Sequence, residues 1–218
     1  MILDLIFPKI CLSCNSPSEE NIICDVCLSG VRLLAARDIC SVCGVPFGSD
    51  NSIEQVTYGE HFCARCLAGS YCFTRARSVA LYEGLLRDIL HRFKYHGRLG
   101  LGGVLSRILA ENYPSDLDEV DLMVPVPLHI NKLRTREFNQ SVVIAKDLAS
   151  RISVPINPFA LKRARDTKPQ YEMGNETDRR KNVRNAFILA DKSQADNKSI
   201  LLFDDVFTTG SKIGRAHV

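Results

Sequence analysis

Eight of the nine cysteines of this chain stand in four identical C-x-x-C pairs: Cys11 and Cys14, Cys24 and Cys27, Cys40 and Cys43, Cys63 and Cys66. A C-x-x-C turn aims two thiolates at one point, and two such turns complete a tetrahedral sulfur shell around zinc. Eight ligands therefore predict two metals. A disulfide framework fits poorly with four equal short spacings and with a start, residues 1–8, that lacks the features of a secretion signal. Redox C-x-x-C chemistry uses one pair on a thioredoxin-like unit rather than four in tandem. Sequential pairing, first with second and third with fourth, closes two loops of modest length and is preferred to an interleaved cross-brace, which the sequence leaves open. All-thiolate shells have no open coordination position, so both zinc ions are expected to be structural. Their binding energy stands in for the core that so short a module cannot build, and loss of Cys11 or Cys24 is expected to unfold the module alone. Cys72 reads as a buried, apolar-like thiol.

The 218 residues, 45% of them hydrophobic, suffice for one full core beside such a module. No apolar stretch approaches the length of a bilayer span, so no membrane insertion and a cytoplasmic location are expected. Residues 132–184 hold 13 Lys and Arg against 6 Asp and Glu, an excess of seven positive charges in a chain whose formal net charge is +3. Such a region is either a solvated face or a site for phosphate, pyrophosphate or a nucleic-acid backbone.

After Cys72 the pattern becomes α/β. Residues 78–82 read as a strand, and Leu85, Leu86, Ile89, Leu90 and Phe93 mark one face of a helix that Gly97 ends. A second helix carries Leu101, Leu105, Ile108 and Leu109, an apolar strand follows over residues 120–126, and a third helix spans 141–152. Further strands are expected near residues 159–161, 186–189 and 199–203, with a long polar loop over 162–185 that reads as a lid or binding loop. Helices alternating with fully apolar strands predict a mostly parallel sheet covered on both faces. Ligands then belong beyond the carboxyl ends of its strands, after Val126 and after Phe203.

The most specific segment is residues 200–211, ILLFDDVFTTGS. Backbone N–H groups of Thr208, Thr209, Gly210 and Ser211 can curl around a phosphate, and Gly210 permits close approach. Asp204 and Asp205 can accept hydrogen bonds from two sugar hydroxyls. This arrangement resembles the phosphoribosyl pyrophosphate loop of type I phosphoribosyltransferases. No P-loop signature occurs in the chain.

Other segments resemble the ComF family: Leu5-Ile6-Phe7-Pro8, Cys40-x-x-Cys43-Gly44-x-Pro46, Lys94-Tyr95-His96-Gly97-Arg98 and Val124-Pro125-Val126-Pro127-Leu128-His129. So do Leu133-Arg134-x-Arg136-x-Phe138-Asn139-Gln140-Ser141 and the spaced Arg163, Thr167, Gln170, Arg179, Asn182 and Phe187. Glu137 departs from the pattern, which has glycine there. The resemblance implies a double zinc-binding module over residues 1–72 and a type I phosphoribosyltransferase-like domain over 73–211, incomplete at its C-terminal end. It implies that Asp204 and Asp205 face the ribose hydroxyls of phosphoribosyl pyrophosphate, bound with magnesium, and that Thr208, Thr209, Gly210 and Ser211 face its 5-phosphate. Lys132, Arg134 and Arg136 would neutralise pyrophosphate or a DNA backbone. His129 reads as a structural histidine, and no residue stands out as a catalytic base. Single-stranded DNA taken up during competence and a competence-helicase-type protein are the implied partners. An active transferase, moving ribose 5-phosphate to a nitrogen acceptor, is the competing function.

A phosphate loop of this type should be followed by helix and strand, yet KIGRAHV ends the chain. One reverse translation of those residues reproduces a widely used sequencing-adapter read. Residues 212–218 are therefore expected to be a non-native tail.

Overall fold

A computed structural model describes residues 9–18, 22–47, 61–69, 71, 73–117, 119–167, 176–191 and 195–207. Cys72, the Thr208, Thr209, Gly210 and Ser211 loop and the 212–218 tail lie outside these residues.

The parallel sheet is built on β1 (Leu122–Pro125), which pairs in parallel with β4 (Ile200–Phe203) in the register Leu122 to Ile200 through Pro125 to Phe203. On its other side Met123 makes a parallel bridge to Ile156, with N–H···O distances of 2.8 Å to Pro155 and 3.0 Å to Asn157. β1 thus lies between two neighbours and is buried along its whole length, as its unbroken apolar run requires.

Alternation along the strands sorts side chains onto two faces. Met123, Leu201 and Phe203 point to one core, formed with α3 (Gly84–Tyr95), α4 (Gly100–Glu111) and α6 (Gln140–Ile152). Ile89 and Phe93 of α3 and Leu101, Leu105 and Ile108 of α4 supply much of it, at the helical spacing visible in the sequence. Leu122, Val124, Ile200 and Leu202 point the other way. They meet β2 (Leu161–Arg163), β3 (Phe187–Leu189) and Val183 at the end of α7 (Glu176–Val183).

The expected third helix, central strand and final strand all form. β2 and β3 correspond to two further expected strands, but they pair with each other in antiparallel fashion and cover the sheet instead of extending it. Residues 78–82 form no strand of the sheet. Ala80 bridges Leu33 in the linker between the cysteine pairs, with Leu34 N–H to Val79 O at 2.9 Å and Leu81 N–H to Arg32 O at 3.0 Å. The 162–185 loop contains a helix, α7. A short helix missed in the sequence, α5 (Ile130–Arg136), follows β1. No helix among the described residues is long and apolar enough to cross a membrane.

The cysteine-rich part is docked on this frame at two places. At the first, Cys11 and Ile23 join the same buried cluster as Phe93 and Leu105. Arg92 donates to Leu12 O at 2.7 Å, and a Cβ on Gly100 would stand 2.6 Å from Ile22 Cδ1. At the second, Ala76 N–H donates to Val42 O at 2.7 Å, and Arg77 joins Ser41 O to the Asp116 carboxylate. Gly44 has φ +65°, and a Cβ there would lie 2.5 Å from Ala76 O. Both backbone strain and close approach demand glycine.

We expect Gly44→Ala to destabilise the fold by at least about 1–2 kcal/mol and to speed chelator removal of metal from the second quartet. Gly103, inside α4, has open space where a Cβ would go. Gly103→Ala should stabilise by about 0.5–1 kcal/mol through helix propensity. Chemical denaturation of both variants checks the pair.

Candidate metal centres and the sheet-end site

The cysteines gather into two quartets: Cys11, Cys14, Cys24 and Cys27, then Cys40, Cys43, Cys63 and Cys66, each with its sulfur atoms within 4.8 Å of one another. Pairing is sequential. The Sγ separations are 3.9 Å for Cys11 and Cys27, 3.7 Å for Cys14 and Cys24, and 3.6 Å for both Cys40 and Cys66 and Cys43 and Cys63. A regular tetrahedron with Zn–S bonds of about 2.3 Å has edges of about 3.8 Å, so the donor set fits zinc in size and chemistry. These separations are far beyond a disulfide bond.

The two centres are built by the same local rule. Cys11 and Cys40 each open a tight turn, closed by Asn15 N–H to Cys11 O at 2.9 Å and by Gly44 N–H to Cys40 O at 2.9 Å. Asn15 and Gly44 both have positive φ, and bridges from Ile10 to Pro17 and from Ile39 to Pro46 brace the turns. Cys24 and Cys63 each stand before a one-turn helix, α1 (Asp25–Leu28) and α2 (Ala64–Leu67). Their N–H groups reach back to the first sulfur of each quartet, Cys24 to Cys11 at 3.3 Å and Cys63 to Cys40 at 3.4 Å. This internal duplication was legible in the matching positions of Pro17 and Pro46, yet sequence reading missed it.

Ionisation follows from these contacts. Burial raises the Cys11 thiol, but N–H groups of Cys24, Cys14 and Ser13 bring it down to about 6. Cys40 is lowered to about 6 against burial by Cys43, Cys63 and Val42. The Ser13 hydroxyl favours the Cys27 thiolate, but crowding by Cys14, Cys24 and Cys11 pushes that thiol up to about 12. Burial and its three neighbours push Cys66 up as well. Four thiolates this close repel one another, and a divalent cation is the group that allows all four to ionise. The two quartets are structural zinc sites, closed shells with no position left for chemistry.

A second convergence lies at the carboxyl end of the sheet. Parallel pairing carries β1 and β4 to the same edge, where Val126 N–H donates to Phe203 O at 2.8 Å. Asp204 and Asp205 leave β4 there. Ser141 Oγ donates to Asp204 Oδ1 at 3.2 Å, and Asn139, the N-cap of α6, donates to Val126 O at 3.1 Å. Lys94, near the end of α3, places Nζ 2.6 Å from Asp205 Oδ2, with both side chains largely buried at 15% and 10% exposure. Arg163 of β2 lies in reach of the Asp204 and Asp166 fields. Burial lowers its pKa while those two carboxylates oppose the shift. Its guanidinium donates to the buried Thr167 hydroxyl and stands 5.4 Å from the Phe187 ring centre. Among the described residues, two buried side-chain donors have no hydrogen-bond partner, Arg163 Nε and Gln140 Nε2, the latter in a residue only 1% exposed.

Of the three cations singled out on α5, Lys132 turns into this site and donates to Thr167 O at 2.7 Å. Arg136 has other partners, donating to Gln140 Oε1 at 3.3 Å and to the Tyr95 hydroxyl at 3.1 Å. Arg134 is exposed. Lys132 and Arg136 lie one turn apart on the same face of α5, while Arg134 between them points away and their partners differ, so the three form no single claw. His129 caps α5, its Nδ1 accepting the Asn131 N–H at 3.3 Å and lying 3.4 Å from Asp166 Oδ2. Asn131 donates to Asp166, and that contact is the leading reason the Asp166 carboxyl is held below its usual range. Glu137, where the resemblance calls for glycine, adopts φ 65° at the end of α5, the left-handed conformation glycine favours. Lys94, Ser141 and Asp166 were missed as site residues, since nothing local in the sequence places them beside β4.

Metal analysis of protein purified without chelator should return two zinc ions per chain. One or none in folded material would contradict the two-quartet assignment.

Comparison with known proteins supplies an independent line. A family model described as a double zinc ribbon domain matches residues 2–67, which contain both quartets. DNA utilization protein YhgH of Escherichia coli strain K12 is 28% identical over 96% of this chain and 89% of its own length. Competence protein F of Haemophilus influenzae is 26% identical, covering 88% of each chain. Competence protein ComFC of Bacillus subtilis is 24% identical over 94% of this chain and 85% of its own. No solved structure matches the chain. The chain therefore opens with a double zinc ribbon domain and is, over most of its length, a homologue of proteins named DNA utilization protein YhgH, competence protein F and ComFC.

Proposed function

We propose that this protein handles single-stranded DNA during uptake or processing of transforming DNA, and that its sheet-end site binds phosphoribosyl pyrophosphate with magnesium. The DNA-related role rests on relatives named for competence and DNA utilization along most of the chain. The observation that carries the ligand reading is the placement of Asp204 and Asp205. They lie at the carboxyl edge of a parallel sheet, beside the start of α6 and within the field of Arg163. That edge is where α/β sheets bind ligands.

Two adjacent carboxylates suit the hydroxyls of a ribose, and a magnesium ion held with pyrophosphate would add charge neutralisation at the same edge. Thr208, Thr209, Gly210 and Ser211 follow in the chain after two intervening residues and are proposed to receive the 5-phosphate. Lys132 and Arg163 are the cations placed to meet pyrophosphate. Arg134, which is exposed, and Arg136, which is bonded to Gln140 and Tyr95, are assigned to a DNA backbone. A competence-helicase-type protein is the proposed partner, and the cytoplasm the proposed compartment.

His129 Nδ1 caps α5 and faces Asp166, in keeping with the structural role read for it in the sequence. The active phosphoribosyltransferase is the second reading, to be separated by turnover. Calorimetry should find magnesium-dependent binding of phosphoribosyl pyrophosphate. Asp204→Asn combined with Asp205→Asn should weaken it at least about tenfold, given about 1.5–3 kcal/mol for each hydrogen bond to a charged group. Unchanged affinity in the double variant would remove these acids from the site.

A further inference from the structure

The solvent-facing side of α3 carries a feature the fold does not require. Its inner face, with Ile89, Leu90 and Phe93, is buried. On the outer face His91 and Tyr95 lie one turn apart with ring centres 4.9 Å from each other, and His96 stands 5.6 Å from His91. All three are exposed, Tyr95 at 51%. An ordinary helix-stabilising pair would account for His91 with Tyr95. It would not account for His96, nor for Arg136, which crosses from α5 and sets its guanidinium 5.0 Å from the centre of the Tyr95 ring. The same guanidinium donates to the Tyr95 hydroxyl, so the ring is held at its edge and over its face.

We infer that Tyr95, with His91, His96 and Arg136, forms a stacking platform for the bases of a single-stranded nucleic acid. This rests on the reading that the protein handles single-stranded DNA. Sequence-tolerant strand binding combines flat π surfaces for bases with cations that follow the backbone. Both parts meet here. Arg136 is itself one such cation, Arg134 is exposed two residues before it on α5, and Arg98 is exposed two residues after His96. Asp88 lies nearly one turn back on α3 and pairs with Arg87 at 3.7 Å, and Glu137 is exposed after Arg136. Arg136 also pre-orients Tyr95, which reduces the ordering cost that a freely rotating ring would pay on binding. A duplex keeps its base faces stacked internally, so the platform selects unpaired strands.

The chain contains no tryptophan, which makes Tyr95→Trp a clean reporter. In titrations with oligothymidylate, emission of that single tryptophan should be quenched and affinity should be kept. Tyr95→Ala should weaken binding about tenfold, the loss of roughly one stacked base, without changing the salt slope, because no phosphate contact is removed. Tyr95→Phe should bind within about twofold of the parent, since the stacking face survives. Unquenched Tyr95→Trp together with full affinity in Tyr95→Ala would overturn the platform while leaving strand binding in place. Equal affinity for duplex and single strand, or for a base-free sugar–phosphate chain, would also overturn it. If the parent protein binds no single strand at any salt concentration, the reading beneath the platform fails with it.

Discussion

Placement of the first thiolate quartet against the helices of the α/β core is the constraint from which the rest of the architecture follows. Cys11 is fully buried, and its neighbours in the apolar cluster include Ile23, Phe93, Leu101 and Leu105. A metal-binding turn of this size has too few apolar residues to form a core of its own. Here it borrows one. The Zn–S bonds fix the turn, the turn presents Cys11 and Ile23, and these complete packing around α3 and α4. The independence expected from the sequence, in which losing a ligand would spare the α/β part, does not fit this packing. The second quartet is attached differently, through Gly44 against Ala76 and through Arg77 spanning Ser41 and Asp116. Its link is polar and backbone-mediated, so its loss should propagate less.

The same helices supply the sheet-end site. α3 carries Lys94 to Asp205 and exposes Tyr95 on the adjoining surface, so one helix serves the core, the site and the outer ring cluster with three of its faces. A buried ion pair such as Lys94 with Asp205 gains little net stability, because desolvation offsets attraction. Its effect is positional. It holds Asp205 oriented at the strand end, and a ligand that engages that carboxylate must either share it with Lys94 or displace the ammonium.

How far the sequence could be read depends on whether the signal was local. The C-x-x-C spacing, the apolar run of β1 and the helical repeats of α3, α4 and α6 are local, and each appears where expected. β2, with the sequence Leu-Lys-Arg, has one buried residue in three and no apolar run, so its antiparallel partnership with β3 was invisible. Residues 78–82 have the composition of a sheet strand, but their partner is the linker around Leu33, a tertiary choice that propensity does not encode. α5 was missed because its N-cap is a histidine, outside the usual Ser, Thr, Asp and Asn set. Asp204 and Asp205 stand at the carboxyl edge where strand order predicts a ligand site. Lys94, Ser141 and Asp166 join them from distant parts of the chain, and only the folded arrangement reveals them.

Continuity between the first metal centre and the α/β core is most directly measured by amide hydrogen exchange in a Cys14→Ser variant. Cys14 is the exposed ligand of its quartet, so replacing it removes a metal bond without deleting a buried atom from the core. The packing described here predicts faster exchange along Gly84–Tyr95 and Gly100–Glu111, in step with residues 11–18 and 22–27. Parent-level protection throughout both helices, with only the ribbon exchanging freely, would contradict it.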